Sequence, residues 1–121
     1  MNAVPFNGGS VLGRWSSELY HDEFFLNNTL QNTSTDSVQI GEEIIEFMSN
    51  GTFNLYLGTT LVEWGTYTTS SNNMHLDLDS GGEENFTYGT TGTKMRWNMV
   101  ESYTDTLGTH TNVGNILFVR Y

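Results

Sequence analysis

The stretch GRWSSELYHD, residues 13–22, decides the fold, because its side chains alternate along the chain with a period of two. Trp15 and Leu19 share one face of this stretch. Such an alternation is typical of a β-strand and not of a helix. The segment before it, residues 1–11, contains one proline and two glycines and shows little periodicity. We therefore predict a flexible lead-in at 1–11 and a strand from residue 12 onward.

Short runs of strand-forming residues continue from here to the end of the chain, separated by turn signals. The run at 44–57 contains Asn50-Gly51, a pair that tolerates positive φ and suits a tight hairpin. The runs at 61–69 and 74–79 predict a second hairpin. Residues 23–30 predict a strand, whereas the polar residues 31–41 predict a long loop or an irregular edge. The remaining predicted strands are 86–91, 94–102 and 115–121.

Many short strands with this spacing are typical of either a β-sandwich or an up-and-down barrel, and the pattern alone does not decide between them. No convincing helix lies between the runs. The fold class is therefore all-β, and we find no repeat beyond the succession of hairpins.

Several short pieces occur in an order that resembles small bacterial lipocalin-like domains, which belong to the wider calycin group of barrels. The pieces are LGRW (12–15), IEF (45–47) with NGTF (50–53), GTY (65–67) ahead of MHLDL (74–78), and FVRY (118–121). The resemblance covers most of residues 12–121. It implies a single antiparallel up-and-down β-barrel of about eight strands.

The ending VGNILFVR (113–120) is also similar to the last strand of avidins, which share this barrel and its Gly-x-Trp start. The spacing disfavours an avidin. The GTY piece at 65–67 comes late, and no further tryptophan follows Trp97.

In calycins the tryptophan of Gly-x-Trp packs at the closed end of the barrel under an arginine from the last strand. The resemblance therefore implies that Gly13, Trp15 and Arg120 form a structural closure that does not contact ligand. Arg120 also shares strand parity with Ile116 and Phe118. A guanidinium on that face is able to lie flat on an indole while it donates to backbone carbonyls. The alternative is an arginine that faces solvent near a frayed terminus.

A barrel of eight strands is just wide enough to be filled by its own side chains or to hold one small ligand. Both alternatives stay open, because large residues at many inward positions suit a plug as well as a pocket. Aromatic rings and flexible thioethers favour an apolar, loosely specified guest. The predicted ligand-binding residues are Leu19, Phe47, Phe53, Leu55, Tyr67, Leu76, Met95, Trp97 and Met99.

Trp64 and Tyr67 have opposite parity on one predicted strand, so only one of them faces inward unless a bulge intervenes. The resemblance favours Tyr67. Glu63 shares the parity of Tyr67, and a carboxylate inside an apolar barrel indicates a polar ligand anchor or a water-filled mouth. An outward Trp64 among apolar neighbours indicates a contact surface, such as that of a homodimer.

Fourteen acidic side chains against four basic ones give a formal net charge of -10. This charge opposes contact with phosphate backbones and anionic membranes, so we expect no nucleic acid partner. We expect no membrane insertion either, since no apolar run of about 18 residues occurs.

The chain has no cysteine, which excludes disulfides and thiolate chemistry. The first twenty residues lack the pattern of a signal peptide. The resemblance nevertheless implies a bacterial protein that acts outside the cytoplasm, in the periplasm, at the surface or secreted.

No catalytic arrangement is predicted, because His21, His75 and His110 lie far apart in sequence and none belongs to a nucleophile motif. His75, Asp77 and Asp79 share one strand face, but a solvated outer face explains them better than a cation site does. We predict neither a metal nor a cofactor.

The expected function is non-catalytic binding or transport of a small hydrophobic molecule inside the barrel. One alternative is a plugged barrel that acts through its outer surface as an interaction or structural module. A further alternative is a barrel enzyme of the cyclase or isomerase type. That enzyme would need polar groups such as Glu63, Tyr67 or His21 to converge in the cavity with shifted pKa values.

Overall fold

The computed structural model describes residues 6–121, and within this range the ordered secondary structure is entirely β. No helix in the described range is long and apolar enough to cross a membrane. The strands are β1 (Gly13–Leu26), β2 (Thr29–Ser37), β3 (Glu43–Phe47), β4 (Thr52–Leu57), β5 (Thr60–Ser70), β6 (Asn73–Leu78), β7 (Glu83–Thr91), β8 (Lys94–Asp105) and β9 (Gly108–Arg120).

Each strand pairs antiparallel with the next around the sheet, and β9 returns to pair with β1. The long strand β1 pairs with β3 over Gly13–Ser16 and with β2 over Leu19–Leu26, so β2 and β3 share one position in the sheet. The result is a closed antiparallel up-and-down barrel with eight strand positions. The predicted all-β barrel of about eight strands is confirmed, and its architecture is compatible with a lipocalin-like fold.

The two predicted hairpins are present as β3–β4 and β5–β6. Gly51 takes a φ of 85° in the first of them, which is the conformation that favours glycine at this turn. Glu63, Gly65 and Tyr67 share the inward parity of β5, and Trp64 lies on the outer face, 45% exposed.

The expected loop at 31–41 is wrong over most of its length, because β2 continues to Ser37. Residues 23–26 likewise prolong β1, and the chain turns at Asn27 and Asn28, which have φ values of 50° and 67°. Nearly all of β2 is exposed, and it pairs with β1 beyond the point where β3 ends. A strand that is wet on both faces shows no apolar alternation, so its sequence looks like that of a loop.

The described part of the predicted lead-in, residues 6–11, is bound to the barrel and is not a free tail. Residues 1–5 lie outside the described range. Gly8 forms a parallel bridge with Gly89 on β7, and its N–H donates to the Tyr88 carbonyl at 3.1 Å. The Tyr88 hydroxyl donates to the Gly9 carbonyl at 2.9 Å. Val11 is buried. Residues 6–11 therefore run across the closed end of the barrel.

The residues predicted as a closure lie together at this end. Trp15 is fully buried, and the Arg120 guanidinium lies 3.8 Å from the centre of its ring system. The Trp15 indole N–H donates to the Val11 carbonyl at 2.8 Å, and the Arg120 guanidinium donates to the Leu12 carbonyl. A Cβ at Gly13 would lie 3.0 Å from that guanidinium, and Gly13 has a φ of 109°. The start of β1, the lead-in and the end of β9 therefore contact one another at the closed end of the barrel.

Candidate ligand cavity

The half of the barrel opposite Trp15 contains a cavity of about 480 Å³. Its surface is largely apolar, and its carboxylates belong to residues near the open end of the strands. The residues that line it are Ser17, Tyr20, Glu43, Ile45, Phe53, Leu55, Glu63, Leu76, Leu78, Glu84, Trp97, Met99, Glu101, Ile116 and Phe118.

Strand β8 shows how the inner face of the barrel changes from apolar to acidic between the closed end and the open end. Its inward positions, taken from the closed end to the open end, are Met95, Trp97, Met99 and Glu101. Met95 is fully buried, Trp97 is 7% exposed, and Glu101 is exposed. Because alternate residues of a strand lie on the same face, these four residues form one face that extends from the packed core, past the cavity wall, to solvent. The inner face therefore changes from apolar to acidic within one strand.

The closed half of the barrel is filled by its own side chains. The rings of Phe47 and Tyr67 meet edge to face with centroids 4.8 Å apart, and Phe47 also packs against Phe53 at 6.5 Å. The Tyr67 hydroxyl donates to the Met48 carbonyl at 2.9 Å. The sequence left a plug and a pocket as alternatives; the structure has a plug in the closed half and a cavity in the open half.

Trp97 forms the centre of the cavity floor. Its ring lies 4.3 Å from that of Phe86 and 4.6 Å from that of Phe118, measured between centroids. The Trp97 indole N–H is buried and has no hydrogen-bond partner within residues 6–121. A buried N–H without an acceptor costs about 1–3 kcal/mol of stability.

The predicted ligand-binding residues separate into two groups on the inner face, and Leu19 lies apart from both. Phe53, Leu55, Leu76, Trp97 and Met99 line the cavity. Phe47, Tyr67 and Met95 do not line it, because they lie deeper, in the packed closed half.

Leu19 is the residue that the structure places on the wrong face. Ser17 pairs with Phe118, and Leu19 pairs with the next residue, Leu117, so Glu18 is an extra residue in β1. This bulge reverses the parity of the strand beyond it. Leu19 therefore lies in an outer groove beside His21, and Tyr20 takes the inward position.

The prediction missed most of the polar rim of the cavity. Glu84 shares parity with the buried Phe86, and Glu101 shares parity with Trp97, so strict alternation would have found both. Only Glu63 was singled out, through its parity with Tyr67. Tyr20 was missed because the bulge changes the parity of β1, and no turn residue in the sequence marks that bulge.

Two of the rim carboxylates are held by neighbouring hydroxyl groups. The Tyr20 hydroxyl donates to Glu43, and burial together with this contact raises the pKa of Tyr20 to about 12. The Ser80 hydroxyl donates to Glu63, and the Trp64 backbone N–H donates to the same carboxylate at 3.1 Å. The hydrogen bond from Ser80 is the main reason that the pKa of Glu63 lies below its usual range. Glu63 is therefore ionised at neutral pH.

The raised pKa of Tyr20 predicts a loss of stability at high pH. In the unfolded chain this phenol ionises near 10.0, whereas the folded protein keeps it neutral to about 12. Over that window the unfolded state releases a proton that the folded state retains, so the free energy of unfolding falls as the pH rises. We expect Tyr20→Phe to remove this part of the fall, measured by urea unfolding between pH 10 and 12. Tyr103→Phe, which leaves Tyr20 intact, is the control; an unchanged slope in Tyr20→Phe would contradict the assignment.

A separate polar cluster lies on the outer wall, outside the cavity. The Nε2 atom of His75 is 3.3 Å from a carboxylate oxygen of Asp77 and 3.3 Å from one of Glu83. Its Nδ1 atom is 2.6 Å from the Asn85 amide oxygen, and this contact is the main cause that raises the pKa of His75. The third member of this cluster is Glu83, at the start of β7, and not Asp79. The arrangement suits a protonated histidine between two carboxylates.

The three groups that the enzyme alternative requires do not converge. Glu63 lines the cavity near its mouth, the Tyr67 hydroxyl is bonded to the backbone in the closed half, and the His21 ring contacts the Thr35 hydroxyl at 2.7 Å on the outer face. The cavity has an aromatic floor, aliphatic walls and an acidic mouth. No protein-family model, no curated protein and no solved structure matches this chain.

Proposed function

We propose that this protein is a lipocalin-like member of the calycin group that binds or carries a small hydrophobic molecule without transforming it. The observation that carries the proposal is the cavity of about 480 Å³ on an aromatic floor. Small-molecule sites commonly measure about 300–1,000 Å³ and are lined mainly by hydrophobic and aromatic side chains with a few polar groups. The packed closed half below the floor supports this function, because it holds the site rigid before a ligand arrives.

The proposal includes an extracytoplasmic location, in the periplasm, at the cell surface or outside the cell. The formal net charge of -10 supports it, since a strongly acidic surface stays hydrated in salty surroundings. Fractionation of the native host followed by immunoblotting tests this part; recovery of the protein only from the cytoplasm would contradict it.

The binding proposal is tested by titration with the neutral fluorescent probe N-phenyl-naphthylamine. Met99 lines the cavity, and the next residue, Val100, is 61% exposed on the outer face. We expect Met99→Trp, which fills part of the cavity, to weaken the probe's affinity about tenfold or more, equivalent to about 1.4 kcal/mol. Val100→Trp adds the same ring on the other face and should bind as the wild type does. Equal affinities in all three proteins, or no saturable binding by the wild type, would contradict an internal site.

A second candidate function is contact with another protein through the outer face of the β4–β5 hairpin. Three large apolar residues there are well exposed: Leu61, Val62 and Trp64. Apolar groups that cluster at the surface often mark an interface. If this hairpin forms a homodimer, sedimentation should show a dimer in the wild type and a monomer in Trp64→Ser, with probe binding unchanged. A wild-type monomer at high protein concentration would exclude the homodimer.

A further inference from the structure

The mouth of the cavity carries a ring of four carboxylates: Glu43, Glu63, Glu84 and Glu101. We call them the glutamate ring. They come from four different strands, β3, β5, β7 and β8, so they are distributed around the barrel and not gathered in one loop. Any ligand that enters the cavity passes between them.

No basic side chain balances this ring. The sequence contains only four lysines and arginines, and none of them lines the cavity. Lys94 pairs with Glu18 at 2.9 Å, and Arg120 lies on Trp15 at the closed end. No ion pair formed within residues 6–121 includes a ring glutamate. The three histidines also lie off the cavity wall.

The cavity floor supplies the apolar part of the site. Trp97 is only 7% exposed and lines the cavity, and its ring packs against those of Phe86 and Phe118. The body of a ligand therefore meets an aromatic surface below the carboxylates.

The spacing of the ring distinguishes an organic cation from a metal ion. Among the described residues, the one group of three or more that brings its ligand atoms within 4.8 Å of one another is His75, Asp77 and Glu83 on the outer wall. No three of the ring carboxylates bring their oxygens within that distance of one another, so the ring does not form a compact metal site with three or more protein ligands. A distributed negative field above an apolar cavity favours an ammonium group attached to an apolar body.

We propose that the ligand is an amphipathic organic cation, with its ammonium group at the glutamate ring and its apolar body on the floor at Trp97. This inference rests on the proposed binding function and narrows its substrate class. Opposite charges at the mouth also draw the ligand in and exclude anions that have the same apolar body.

The test compares three compounds that share a phenoxybutyl body: phenoxybutylamine, phenoxybutanol and phenoxybutanoate. We expect calorimetry to show the amine bound about 10- to 100-fold more tightly than the alcohol, and the carboxylate more weakly than either. Sodium chloride should weaken the binding of the amine and leave the binding of the alcohol unchanged, since salt screens exposed charges. Calcium chloride at the same ionic strength should not weaken the binding of the amine any further than sodium chloride does.

The matched variants use neighbouring residues on opposite faces of β7. Glu84 lines the cavity, whereas Glu83 lies on the outer wall beside His75. We expect Glu84→Gln combined with Glu101→Gln to reduce the preference for the amine over the alcohol about tenfold or to abolish it. Glu83→Gln should keep the full preference.

The outcomes separate the two proposals. If the alcohol binds in the cavity as tightly as the amine, the cationic ligand is wrong and the hydrophobic binding function stands. If the amine is preferred but Glu83→Gln reduces the preference as much as the ring variants do, the attraction belongs to the overall charge and the assignment to the ring is wrong. If none of the compounds binds while N-phenyl-naphthylamine does, the cationic ligand is wrong and the hydrophobic binding function stands; if the probe also fails to bind, both proposals fail.

Discussion

Replacing Trp15 by alanine is expected to lower the free energy of unfolding by about 3–5 kcal/mol, the usual cost of removing a large buried aromatic ring. Trp15 is fully buried, lies under the Arg120 guanidinium at 3.8 Å and donates to the Val11 carbonyl at 2.8 Å. The change removes the contact that joins the first strand, the last strand and the lead-in. Against a typical total stability of about 5–15 kcal/mol, the loss is severe. Chemical unfolding monitored by circular dichroism measures it.

Trp64→Ala is the matched control, because Trp64 is 45% exposed on the outer face and is expected to cost less than about 1 kcal/mol. If Trp15→Ala does not fold, Trp15→Phe keeps part of the ring and should give a smaller, measurable loss. Similar losses for the Trp15 and Trp64 variants would contradict the role of Trp15 as the closure.

Gly65→Ala is expected to disturb the wall of the barrel and the cavity floor together. A Cβ at this position would lie 1.9 Å from the Asp77 carbonyl oxygen and 3.0 Å from Cε1 of Phe53. The first atom belongs to the backbone of β6, so β5 and β6 must move apart, and the second belongs to a ring that lines the cavity. We expect a loss of at least about 1–3 kcal/mol, as for other overpacked sites. Binding of N-phenyl-naphthylamine should weaken with it.

Gly92→Ala provides the control for this prediction. A Cβ added there meets no atom within 4 Å, and Gly92 does not have a positive φ. The change should be neutral or slightly stabilising, because alanine reduces the freedom of the unfolded chain. A Gly65→Ala protein as stable as Gly92→Ala, with unchanged probe binding, would show that β5 and β6 are not packed as described.

Local alternation and turn chemistry made much of the fold predictable. Asn50-Gly51 located one hairpin, the parity of β5 put Trp64 and Tyr67 on opposite faces, and the resemblance to lipocalin-like domains favoured Tyr67 as the inward residue. The strand β2 escaped prediction because it is polar on both faces and owes its order to pairing with β1. The order of residues 6–11 also escaped, since it depends on backbone bonds to Gly89 and Tyr88, far along the chain.

The cavity was less predictable than the barrel for two physical reasons. The bulge at Glu18 exchanged Leu19 for Tyr20 on the inner face, and pairing irregularities of this kind carry no fixed sequence signal. The level at which packing stops depends on how rings from several strands meet. Phe47 and Tyr67 fill the closed half, whereas Phe53 and Trp97 border open space, although all four residues are inward aromatics.

Native mass spectrometry with N-phenyl-naphthylamine provides the sharpest test of a ligand site in the open half of the barrel. We expect a single adduct, one probe per chain, that is present in the wild type and in Val100→Trp and is lost or greatly reduced in Met99→Trp. An adduct that Met99→Trp retains in full, or a wild-type protein that forms none, would contradict an internal ligand cavity.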